Sequence, residues 1–261
     1  MPLSITEISA ETYPAALAFL RRSPYRNAIS LAQMTQLRAS SYTLVALSNE
    51  TVVGVASIRR DLPLPRLSFV VDFPGVLPPL LAGLVEAHPH LQGQPVGVLL
   101  PLARMPLLNG MVQVEESRLL YQMVAEPETL RLSEQPAAQR LSADMRADLA
   151  ALHSATAGWQ SWHPDGGPAF GVVATTGQLQ AIAATCFATR DVIEIGWAMQ
   201  PAAVPALQGC IGALTQLCFG LASRVYLFVE AGDDEIVTGC RHLGFWPAER
   251  FMWIVARLNL T

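Results

Sequence analysis

The chain has 261 residues, 51% of them hydrophobic and 15% charged, with a formal charge of −4, a pI near 5.7 and a mean hydropathy of +0.33. This balance excludes an intrinsically disordered chain, and the acidic net charge excludes a sequence-wide basic surface for nucleic acid. All 17 basic residues are Arg, so Schiff-base chemistry on lysine and a phosphate-loop lysine are excluded as well.

Along the chain, residues 1–22 carry Glu7 and Glu11 ahead of their only basic residues, the reverse of a secretory leader. Residues 12–37 read as an amphipathic helical stretch interrupted at Ser23-Pro24. Residues 42–47 and 52–58 flank Asn49-Glu50 as a β-hairpin, 67–71 form a third strand, 79–87 a helix, and 96–100 and 119–124 two more strands. The pattern lapses over residues 126–136, which read as a linker. Ser142 is placed to cap a helix over 143–153, and a loop rich in Trp, His, Pro and Gly covers 158–168. Residues 170–174 and 178–187 then form a second hairpin, and 192–199 a strand stopped by Pro201. A helix over 207–221, a strand over 225–230, a helix over 235–243 and a strand over 251–258 complete the chain. Residues 204–221 are the nearest approach to the roughly 18 apolar residues of a membrane helix, and three Gly, two Gln and a Pro break them. A cytoplasmic protein with no membrane or nucleic-acid partner is expected.

The same order of elements recurs at an offset of about 130 residues. It predicts two α/β domains of the α+β type, over residues 1–130 and 137–261, each a mixed, largely antiparallel sheet flanked by helices. Cys186, Cys210, Cys218 and Cys240 are spaced 24, 8 and 22 residues apart in apolar surroundings, which predicts free buried thiols. His88, His90 and His153 have no metal-ligand spacing, and no metal is expected. Hydrolase, dehydrogenase and NTPase fingerprints are absent.

Several segments are similar to the GNAT family of acyl-CoA-dependent N-acyltransferases. They are Gly177-Gln178-Leu179-Gln180-Ala181-Ile182-Ala183, then Ile195-Gly196-Trp197-Ala198-Met199-Gln200-Pro201, the strand 225–229, and His242-Leu243-Gly244-Phe245. Asn49-Glu50-Thr51-Val52-Val53-Gly54-Val55-Ala56 matches the corresponding hairpin in the first half, and Tyr25-Arg26-Asn27-Ala28 looks like the helix opening of two-domain members. The chain therefore resembles a tandem GNAT protein with a degenerate, non-catalytic N-terminal domain and an acyl-CoA-binding C-terminal domain.

The resemblance implies acetyl-CoA as cosubstrate and transfer of its acetyl group to a small primary amine, and it leaves room for a homodimer. Acetyl-CoA would lie against Trp197, Ala198 and Met199, with its pyrophosphate at Gln208, Gly209 and Gly212 and a further contact at Asp233. Either register of the phosphate loop departs from the family pattern, because Leu207 or Ile211 replaces its middle glycine. Glu194 falls where members place a carboxylate base, among apolar neighbours that raise a carboxyl pKa. Cys240 stands where members carry the tyrosine that protonates the leaving thiolate. Trp159, Trp162 and His163 would line the acceptor pocket, with aromatic walls that suit an amine. The departures favour an alternative, a non-catalytic GNAT-like protein that binds a ligand or partner in the same cleft.

Overall fold

The computed structural model describes residues 3–132, 137–142 and 167–259. The chain forms two compact units. The first comprises Met1–Leu119 with Phe251–Thr261, and the second Leu120–Arg250. The sequence places one cut within residues 126–140. The structure instead returns the last strand of the chain to the first unit.

In the first unit, β1 (Leu3–Glu7), β2 (Ser41–Ser48), β3 (Thr51–Arg59) and β4 (Arg66–Val71) pair antiparallel in that order. The β2–β3 turn holds Asn49 and Glu50 at φ 49° and 61°, the two left-handed positions of a tight hairpin that follows the strand twist. β4 then pairs parallel with β5 (Pro95–Pro101), after the chain has passed through helix α3 (Leu77–Ala87). The last strand, β12 (Trp246–Leu258), closes this sheet by pairing antiparallel with β5 from Phe251–Pro101 to Arg257–Pro95.

Period-two alternation along β2 and β3 feeds two cores. On one face Leu77, Leu80, Leu81 and Leu84 of α3 pack with Leu44, Ala56, Val98 and Ile254. On the other, Phe19 and Leu20 of α1 (Tyr13–Leu20) and Leu31 and Met34 of α2 (Ala28–Met34) pack with Val45, Val55 and Val70. The interruption expected at Ser23-Pro24 is the turn between α1 and α2, and Asn27 Nδ2 donates to the Leu20 carbonyl at 2.9 Å to tie the two helices.

The second unit repeats this order. β7 (Gln139–Arg140), β8 (Ala169–Val173), β9 (Leu179–Ala188) and β10 (Ile193–Met199) are antiparallel. Helix α4 (Val204–Cys218) follows, and then β11 (Val225–Glu230) pairs parallel with β10. The closing antiparallel partner of β11 is the end of β6 (Val112–Ala125), from Glu230–Leu120 to Val225–Ala125. Helix α5 (Asp234–His242) leads into β12. α4 packs against β8, β9 and β10, with Leu207, Cys210, Ile211 and Leu214 buried. No helix among the described residues is long and apolar enough to cross a membrane.

Candidate functional site

The site expected from the sequence centres on β10. This strand pairs with β9 along its whole length, with a bulge between Glu194 and Ile195. Toward β11 the parallel ladder holds only Ile193–Val225 and Glu194–Tyr226. A bulge bends its strand and sharpens the local twist, so β10 turns away from β11 at this point and the two strands form a fork.

Glu194 stands at the closed end of that fork. Its residue is 4% exposed, and its carboxylate accepts a hydrogen bond of 2.6 Å from the Tyr226 hydroxyl. Tyr226 is itself buried, edge-on to Phe187 and Phe228 with ring centroids 6.5 and 5.5 Å away. A buried carboxylate needs such a donor to offset its lost hydration. The sequence singles out Glu194 and passes over Tyr226. Its signal is the one hydroxyl-bearing side chain in the apolar run Val225-Tyr226-Leu227-Phe228-Val229, which pairs with Glu194 once the two strands are aligned. Further along β10, Trp197 and Ala198 are buried and Met199 half-buried. The Trp197 indole Nε1 donates to the Phe228 carbonyl at 2.9 Å.

The residues assigned to the pyrophosphate do not converge. α4 begins at Val204, which places Gln208, Gly209 and Gly212 in its second and third turns, where backbone N–H groups are spent on the helix itself. Gly209 and Gly212 are buried. A Cβ at Gly212 would meet Leu132 at 3.2 Å and Leu243 at 3.5 Å, and one at Gly239 would meet Gln208 Nε2 at 2.5 Å. Gly212, Gly239 and Gln208 thus serve the packing around α4 and α5. At the true N-terminus of α4, Pro205 brings no N–H and the Ala203 N–H is bonded to the Gln200 carbonyl at 3.1 Å. Two of the groups that would cradle a phosphate are therefore lost.

Two other assignments also change. Cys240 is buried on α5, and burial, reinforced by the Asp233 carboxylate, pushes its thiol up to about 12. A thiol that weakly acidic is a poor proton donor to a CoA thiolate, whose conjugate acid is an ordinary, unburied thiol. Asp233 is the N-cap of α5: its Oδ1 accepts from the Ile236 N–H at 3.2 Å. Asp234 and Glu235 in the first turn and Arg241 and His242 in the last complement the helix dipole. Trp159, Trp162 and His163 lie outside the described residues. Among the described residues, no three His, Cys, Asp or Glu side chains gather as a metal site would require.

This fold is shared with solved structures. A tandem GNAT protein from the clavulanic acid biosynthesis pathway matches over 100% of both chains, with a TM-score of 0.66 and 12% identity. The chain has the tandem GNAT fold. A GCN5-related N-acetyltransferase from Kribbella flavida matches 87% of this chain and 94% of its own, with a TM-score of 0.63 and 19% identity. One from Sphaerobacter thermophilus matches 99% and 96%, with a TM-score of 0.62 and 15% identity. No protein-family model matches the sequence, and no curated protein matches it either. The parallel ladder of the first unit is as short as that of the second: β4 and β5 pair only at Arg66–Gly97 and Leu67–Val98, β10 and β11 only at Ile193–Val225 and Glu194–Tyr226.

Proposed function

We propose that the second unit carries out acyl-CoA-dependent N-acyl transfer, moving an acetyl group from acetyl-CoA to a small primary amine in the cytoplasm. The observation that carries this reading is Glu194, a buried carboxylate bonded to Tyr226 at the point where β10 and β11 part. An amine reaches such a site as its ammonium form. Glu194 takes one proton and frees the nitrogen lone pair, which attacks the thioester carbonyl. The resulting oxyanion would be met by backbone N–H groups of β10 beyond the bulge, where the strand no longer pairs with β11. Collapse expels the thiolate, which takes the second proton lost by the nitrogen, so no thiol or phenol acid is required.

A second reading rests on a separate observation, the N-terminus of α4, where Pro205 and the bonded Ala203 N–H leave an impoverished phosphate cradle. It makes the unit a binding module that has lost CoA chemistry. Calorimetric titration with acetyl-CoA, followed by a thiol-release assay against a panel of primary amines, separates the two. Heat of binding with amine-dependent thiol release supports the enzyme. No heat at millimolar acetyl-CoA removes the enzyme reading and leaves the binding module.

A further inference from the structure

Where two strands of a sheet part, the backbone groups that faced each other must find water or a side chain instead. Beyond Glu194 and Tyr226 the β10–β11 ladder stops. In a continuing parallel ladder a backbone N–H of β10 would bond the Phe228 carbonyl. Here that carbonyl receives the indole Nε1–H of Trp197 at 2.9 Å. The indole carries a single donor and no acceptor, and the residue is only 8% exposed, so this bond satisfies the side chain as well as the strand. The ring thus spans the gap between the strands, three residues past the bulge. It lies on the segment Trp197-Ala198-Met199, which an acyl-CoA arm would have to pair with.

We infer that Trp197 controls entry to the fork: an acyl-CoA arm enters only when the indole leaves the Phe228 carbonyl, and an amide N–H of the arm takes its place. This inference rests on the acyl-CoA reading above and names the residue that decides what that site admits. While the indole bond is in place the fork is shut, and apparent affinity falls by the fraction of molecules that are open. The exchange also selects the ligand. A thioester whose arm carries amide donors can replace the indole at the vacated carbonyl, whereas a simple alkyl thioester offers no donor in exchange.

The test follows the indole N–H of Trp197 by NMR in the 15N-labelled full chain, with its resonance assigned through bonds in the wild type. Calorimetry with acetyl-CoA is run in parallel on wild type and Trp197→Phe. The expected result is an indole N–H protected from exchange in the free protein that loses protection on saturation with acetyl-CoA. Trp197→Phe, which keeps an aromatic ring but removes the donor, is expected to bind acetyl-CoA about 3- to 10-fold more tightly. Binding of acetyl-CoA with the indole N–H still protected overturns the inference, as does a variant that binds no more tightly than wild type. Both of those outcomes leave the acyl-CoA reading standing. Absence of heat from both proteins overturns that reading and the inference with it. Should Trp197→Phe fail to fold, the wild-type resonance decides alone.

Discussion

Glu194 and Tyr226 meet because the β10–β11 ladder is still intact at their register and ends immediately after it. The pair therefore sits at the last paired register before the strands part, where a base can be both buried and next to the fork. Glu194→Gln keeps the shape and a hydrogen-bond acceptor but cannot take a proton. Turnover should fall by about 10²- to 10⁴-fold, while the Kd for acetyl-CoA changes by less than about twofold. Steady-state kinetics and calorimetry on one preparation would check both halves, and a loss confined to affinity would reject the base. The cysteines make a second, independent prediction. Burial raises Cys210 and Cys240 to about 12 and Cys218 to about 11, from the ordinary value near 9 that the unfolded chain restores. The folded state therefore keeps these protons at a pH where the unfolded state gives them up. The stability involved is fully present below about pH 9 and is lost as pH rises toward 12. At pH 10 each such thiol should already have cost about 1.4 kcal/mol relative to pH 8. Urea denaturation at the two pH values measures this, and Cys240→Ala should reduce the difference by one thiol's share.

The turn after α5 shows at the scale of one element what a short motif encodes. Leu243-Gly244-Phe245 closes the helix with two bonds, Phe245 N–H to the Cys240 carbonyl at 3.0 Å and Gly244 N–H to the Arg241 carbonyl at 2.9 Å, with Gly244 at φ 89°. This is a Schellman cap, and Phe245 buried against the last turn completes it. A Cβ at Gly244 would also run into the backbone carbonyl of Thr129, which cannot swing aside as a side chain would. Gly244→Ala should therefore cost more than about 2 kcal/mol in urea denaturation, from the left-handed backbone and the clash together. A smaller loss would mean that the 126–132 segment yields. The motif was readable because its chemistry is local: a glycine, a cap and a hydrophobic contact within six residues. The hairpins at Asn49-Glu50 and at Thr175-Thr176-Gly177 were legible for the same reason, since strand alternation and turn residues lie side by side in sequence. The helix expected over 207–221 begins three residues earlier because helix start depends on which residues can nucleate a turn, and Pro205 at the first turn pulls α4 forward to Val204. Tyr226 and the Trp197–Phe228 bond were invisible because each needs two strands to be aligned across more than 30 positions of chain.

At the scale of the whole molecule, the sequence period hid an exchange. Each unit contains the same order of antiparallel strands, helix and parallel strand, so a cut near residue 130 looks natural in one dimension. The pairing says otherwise, because the strand that closes β5 is the last of the chain, Phe251–Arg257. Phe251, Trp253, Ile254 and Leu258 are each at most 3% exposed, and Ile254 and Leu258 belong to the core under α3. Trp253 fills the space above Gly97, and its ring carries the Arg66 guanidinium 4.9 Å from its centroid. Burying each large apolar side chain contributes about 1.5–3 kcal/mol, so these four together are comparable with the total stability of a domain, about 5–15 kcal/mol. Deleting residues 251–261 should therefore unfold the N-terminal unit, more than two hundred positions away in sequence from β1. Hydrogen exchange read by mass spectrometry would show it: amides of α3 and β5 should lose their protection in the truncated chain. If α3 stays as protected as in the full chain, the first unit folds without its closing strand. The boundary would then lie where the sequence pattern places it, within residues 126–140. A fragment of residues 1–130 gives the complementary result, since it lacks the closing strand from the outset and exposes the β5 edge to pairing with other chains. It should be insoluble on its own and become soluble when residues 251–259 are joined to it through a flexible linker.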